Sequence, residues 1–75
     1  MKLKELRLKK GLSQSQLADE TGISVRIIQH YEQGSRVLDN ARIDTILKFC
    51  VALDCKISEI IENAEYLELL KKVNK

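Results

Sequence analysis

The 75-residue sequence predicts an all-α fold of five short helices followed by a short C-terminal helical extension. Three observations carry that expectation. First, one helix-start device recurs in "LSQSQL", "ISVRII" and "LDNARI". Each holds a short polar side chain (Ser13, Ser24, Asp39) able to accept a bond from the unpaired N–H groups that open a helix. Each also sets apolar residues before and after it at the spacing of a hydrophobic staple: Leu12 and Leu17, Ile23 and Ile28, Leu38 and Ile43. Second, the three glycines fall at 11, 22 and 34, between the candidate helices, and the chain has no Pro. Third, positions 43, 46, 47, 50 and 53 are apolar, one stripe of a 3.6-residue period.

Taken in order, residues 2–10 form a first helix with Leu3 and Leu6 inward, stopped by Gly11. Residues 14–20 form a second, where Gln16 completes a capping box with Ser13. The stretch "GISVRII" reads as a strand by propensity, being rich in β-branched residues. A strand there would have no partner, and the Ser24 device makes it the start of a third helix, 25–32. A loop, "GSRVLD", leads to a fourth helix at about 40–53. A fifth starts near Ile57 or Ser58, with Lys56 a poor cap. The tail "AEYLELLKKV" is helical by propensity, with Tyr66, Leu69, Leu70 and Val73 as its apolar residues. The chain therefore divides into a domain at 1–63 and an extension at 64–75 that either docks on the domain or dimerises.

Composition narrows the function. With only Tyr31, Phe49 and Tyr66 as aromatic residues, the core is Leu, Ile, Val and Ala packed between helices. Two cysteines and one His are too few for a disulfide scaffold or a metal set, so Cys50 and Cys55 read as reduced thiols of a cytosolic protein. The most apolar run, "ILKFCVAL", is short and broken by Lys48, too short for a membrane span. No nucleophile is set beside a base and no phosphate-cradling loop occurs, so no enzyme is expected, and neither metal nor cofactor. Net charge is +2, unevenly spread. Residues 1–42 carry eight Lys/Arg against five Asp/Glu, and residues 43–75 five against six. A basic front half suits a face turned to nucleic acid.

The second and third helices are joined only by "TGI". Gly22 can supply the positive φ of so tight a turn, and Ala18 is small enough for a close crossing. Leu17, Ile23 and Ile28 fill the wedge. That is the layout of a helix-turn-helix, whose second helix enters the major groove of DNA.

The segments "LRLKKGLSQSQLADETGISVRIIQHYEQG" (6–34) and "DTILKFCVALDCKISEII" (44–61) carry Gln14, Leu17, Ala18, Gly22, Ile28, Glu32 and Gly34 at specific separations. In them the sequence resembles the lambda-repressor-like helix-turn-helix family, the phage repressor/Cro and XRE type. The resemblance implies a five-helix DNA-binding domain with its helix-turn-helix at helices two and three. It places Ser13, Gln14, Ser24, Gln33 and Arg36 at DNA phosphates, and Val25, Arg26, Gln29 and His30 on the base-reading face. It makes Arg7 and Glu32 a structural clamp.

The side-chain chemistry agrees. An Arg forks onto guanine O6 and N7, a Gln pairs with adenine N6 and N7, and a Val meets a thymine methyl. The expected partner is double-stranded DNA, a palindromic operator read by a homodimer in the cytoplasm, at the nucleoid. The expected role is transcriptional regulation as a repressor. The rival reading is a protein-interaction module, such as an antitoxin or accessory subunit, docking through Val25 and Ile27. Ile27 is the one residue that fits neither core nor DNA face.

Overall fold

The computed structural model describes residues 2–73, so Met1 of the expected domain and Asn74 and Lys75 of the expected extension lie outside the described residues. Among those described, the chain forms α1 (Lys2–Lys9), α2 (Gln14–Thr21), α3 (Val25–Gln33), α4 (Ile43–Leu53), α5 (Ile57–Ile60) and α6 (Ala64–Val73). A single 3-10 turn, Leu38–Asn40, precedes α4, and no strand occurs among them. The fold class is the all-α one expected.

Local chemistry accounts for the first three helices. Ser13 accepts a bond from the N–H of Gln16 at 3.0 Å, and Gln16 Oε1 accepts the N–H of Ser13 at 2.8 Å, closing the capping box. Ser24 caps α3 by accepting the N–H of Ile27 at 3.2 Å. Gly22 ends α2 at φ 74°, its N–H donating to the Ala18 carbonyl at 2.8 Å. Thr21 reinforces this turn: its buried hydroxyl donates to the Leu17 carbonyl at 2.8 Å and accepts the N–H of Ile23 at 3.1 Å. "GISVRII" is thus a turn and a helix start.

The third helix-start expectation fails. Asp39 does not cap α4. Leu38 is buried in the core and draws the chain into the 3-10 turn, after which Ala41 and Arg42 are extended. Helix α4 therefore opens at Ile43, with Arg42 at its cap position and no side-chain cap bond. The Asp39 carboxylate instead accepts the N–H groups of Glu62 (3.1 Å) and Asn63 (2.8 Å), tying the segment between α5 and α6 to the loop. The later start also changes the inward face of α4. It buries Ile46, Phe49, Cys50 and Leu53, whereas Ile43 and Leu47 of the expected stripe are exposed.

Leu3, Leu17, Ile28, Phe49 and Ile60 are almost wholly buried and bring α1, α2, α3, α4 and α5 onto one core. Tyr31 meets Phe49 edge to face, ring centres 6.0 Å apart, the arrangement aromatic quadrupoles favour. Ile27, unplaced by sequence, packs half-buried against this core. Cys50 is buried and Cys55 half-buried, both as free thiols. Burial pushes both thiols up, Cys55 to about 12 with Cys50 beside it.

Helix α6 is capped by Asn63, whose Oδ1 accepts the N–H groups of Glu65 and Tyr66. Leu67 and Leu70 pack against the core, while Tyr66, Leu69 and Val73 stay exposed.

Candidate nucleic-acid interface

Helix α3 spends three positions on the core: Ile28 and Tyr31 fully, Ile27 in part. At 100° per residue that leaves Val25, Arg26, Gln29, His30 and Gln33 within one outward arc. Val25, Gln29 and Gln33 form one i, i+4 row, and Arg26 and His30 a second. Arg26, Gln29 and Gln33 are exposed, and Val25 and His30 half-buried. Ser24 opens the row as the cap of α3. Five of the sequence-derived contact residues therefore share one helix face.

The start of α2 is fixed beside this face by a network beginning in the interior. Arg7 of α1 donates from Nε to Glu32 Oε2 at 2.7 Å and from Nη2 to Glu32 Oε1 at 3.0 Å. Its Nη1 donates to the Leu12 carbonyl at 2.8 Å. The two side chains are only 8% and 4% exposed, so this is a buried, bidentate ion pair.

Glu32 Oε1 also accepts from Gln14 Nε2 at 3.0 Å, and Gln14 Oε1 accepts from Gln29 Nε2 at 3.3 Å. A chain of bonds thus runs from the core clamp through the first residue of α2 to the middle of α3. Burial is the largest influence on the Glu32 carboxyl and pushes it up. The bonds from Arg7 and Gln14 and the Arg7 charge together outweigh that and hold it below its ordinary value. Its bond to Glu32 raises Arg7.

This geometry leaves usable donors. An amide nitrogen carries two N–H groups, so Gln14 and Gln29 each retain one beyond the bonds above. The backbone N–H groups of Gln14 and Ser15 precede the first intrahelical bond and point from the positive end of α2, where an anion is favoured. Ser13 uses its oxygen in the cap and keeps its hydroxyl proton for a further acceptor.

At the other end of α3 the chain is stitched back on itself. His30 Nδ1 lies 2.9 Å from Ser35 Oγ, and the His30 carbonyl accepts from Ser35 Oγ and from the N–H of Arg36. His30 therefore shapes this turn and offers only Nε2 outward.

Arg36 lies on a groove lined also by Tyr31, Val37, Asn40, Ala41, Arg42 and Thr45. Arg42 was missed by sequence reasoning. It sits at the cap position of α4 with its side chain 86% exposed, 3.3 Å from Asp44. The signal was an Arg just before a helix, hidden because Asp39 was taken as the cap. The groove thus carries an Arg on either side.

Among the described residues no group of three or more His, Cys, Asp or Glu side chains is placed to hold a metal ion. No helix there is long and apolar enough to cross a membrane.

Tight turn, protruding α3, and the two helix starts beside it define a helix-turn-helix DNA-binding domain. The chain belongs to the lambda-repressor-like helix-turn-helix family: the family model described as Helix-turn-helix matches residues 3–60, with α6 beyond the match. Comparisons with curated proteins and with solved structures gave no match.

Proposed function

We propose that the protein is a sequence-specific regulator of transcription, a repressor that occupies an operator and places α3 in the major groove. Val25, Arg26, Gln29 and His30 read bases. Ser13, Gln14, Ser24, Gln33 and Arg36 hold phosphates, with Arg42 added beside Arg36. The observation that carries this reading is the single outward face of α3, with Gln14 fixed against Gln29 by a buried ion pair. A reader needs pre-set donors, because each side chain ordered on binding costs affinity. One helix touches few base pairs, which favours a homodimer on a palindromic operator in the nucleoid.

The rival docking surface loses its basis, since Ile27 packs on the core and leaves Val25 without an apolar neighbour at that position. Selection of bound double-stranded DNA from a random pool tests the proposal. The expected product is a pair of inverted half-sites centred about 34–36 Å apart. A pool with no enriched sequence would overturn it.

A further inference from the structure

Helix α6 faces two ways. Leu67 and Leu70 pack on the core, and Tyr66 Oη donates to Asn40 Oδ1 at 3.2 Å, fixing the helix to the loop before α4. Tyr66, Leu69 and Val73 are exposed, and their i, i+3, i+7 spacing sets them on one line along the helix. Water meets a continuous apolar strip there, not scattered single residues.

The charges beside that strip are ordered. Glu65 and Glu68 occupy the first half of α6, Lys71 and Lys72 the second. A second α6 laid parallel would set Glu against Glu and Lys against Lys. Laid antiparallel, it sets Glu68 against Lys71, Glu65 against Lys72 and Tyr66 against Val73. All three pairings are centred close to one point, beside Leu69, which then meets its own copy. Agreement of charge and shape about one centre is what a two-fold, isologous contact requires.

Exposed Ile43, Leu47 and Val51 make another apolar strip, on α4. About its centre, Leu47, Asp44 falls opposite Cys50 and Lys48 opposite Ile46, so charge selects no orientation there.

We infer that a second copy of this chain pairs with the first through α6, antiparallel across Tyr66, Leu69 and Val73 with the two-fold axis beside Leu69. This rests on the dimeric reading of the proposed function and names its surface. The strength follows from size. A ten-residue helix is about 15 Å long, and two of them crossing bury less than the roughly 1,200 Å² of a standard stable interface. The free dimer is therefore weak, and adjacent half-sites on one DNA strengthen it by raising the local concentration toward the millimolar range.

Sedimentation equilibrium of the full chain without DNA, from about 10 μM to about 1 mM, tests this. A reversible monomer–dimer equilibrium is expected. Leu69→Glu should weaken it at least about tenfold with far-UV circular dichroism unchanged. A variant with Glu65→Lys, Glu68→Lys, Lys71→Glu and Lys72→Glu should self-associate as the parent does but not pair with it.

A mass of one chain throughout would overturn the inference, as would indifference to Leu69→Glu. Preferred mixing of the charge-reversed variant with the parent would show parallel pairing and overturn it too. Loss of the dimer in Val51→Glu instead would keep the paired-half-site reading and remove only the role of α6.

Discussion

Removing Glu32 gives the sharpest test of how this domain is held together. In Glu32→Ala the guanidinium of Arg7 keeps its bond to the Leu12 carbonyl but loses both carboxylate bonds. It does so with its side chain 8% exposed, where water cannot replace them. Leaving one member of a buried pair unmatched costs about 3–5 kcal/mol. At about 0.05–0.15 kcal/mol per residue the whole domain has only about 4–11 kcal/mol of stability. The loss is therefore a large fraction of the total, and the melting midpoint should fall by at least about 12 °C.

Urea unfolding followed by far-UV circular dichroism measures it. The double variant Arg7→Met with Glu32→Leu removes both charges and fills the space, and should recover most of the lost stability. The double variant still lacks the acceptor for Gln14 Nε2, so DNA affinity should stay reduced after stability returns. A Glu32→Ala loss below about 1 kcal/mol would show a solvated surface pair and refute the reasoning.

Arg26 is exposed on the outward face of α3, so Arg26→Ala should cost about 1–3 kcal/mol of DNA binding and relax preference at one base position; uniform weakening across sequences would assign it to phosphate. Gln14→Ala should weaken binding evenly across operator variants, and an altered base preference in competition binding would refute the phosphate role. Acid should act through Glu32, whose carboxyl titrates below its ordinary value of 4.5. Its contribution is complete above that value and is lost as pH falls through the folded one. The stability gap between parent and Glu32→Gln, read from melts at a series of pH values, should therefore shrink in acid, and a constant gap would count against it. Cys55, pushed up to about 12 by burial and by Cys50 beside it, should resist alkylation at neutral pH until the chain unfolds, whereas rapid labelling of native protein would contradict its placement.

The parts of the fold legible in sequence were those fixed by neighbours in the chain. Ser13 with Gln16, Ser24 with Ile27, and Gly22 with Ala18 bond across two to four intervening positions or fewer, and each forms as the spacing implied. Asp39 carried the same local pattern and misled. Its partners, the N–H groups of Glu62 and Asn63, lie far along the chain, and burial of Leu38 outweighed the cap. The inward face of α4 was blurred for a related reason. A helix apolar at 43, 46, 47, 49, 50, 51 and 53 fits several rotations, and only packing chooses Phe49 over Ile43 and Leu47. For Ile27 the helical period alone gave an edge position, while the core reached far enough to cover it in part. At the site, the outward residues of α3 followed from the period. The bonds among Glu32, Gln14 and Gln29 did not, because they join three segments distant in sequence.

Those bonds give the buried ion pair a meaning beyond stability. Apolar residues of like volume hold a core as well as a buried pair does, so the pair is weak evidence of stabilisation by itself. What an apolar pair cannot do is offer a directed acceptor at the surface. Glu32 has one oxygen on Arg7 alone and shares the other between Arg7 and Gln14. Gln14 therefore takes its orientation from a residue of α3 and passes it, through its own oxygen, to Gln29. The opening of α2 and the middle of the reading face are consequently one mechanical unit, whereas Arg26 stands outside the network. Changes at Gln14 and Gln29 should combine non-additively for that reason, and changes at Gln14 and Arg26 should simply add.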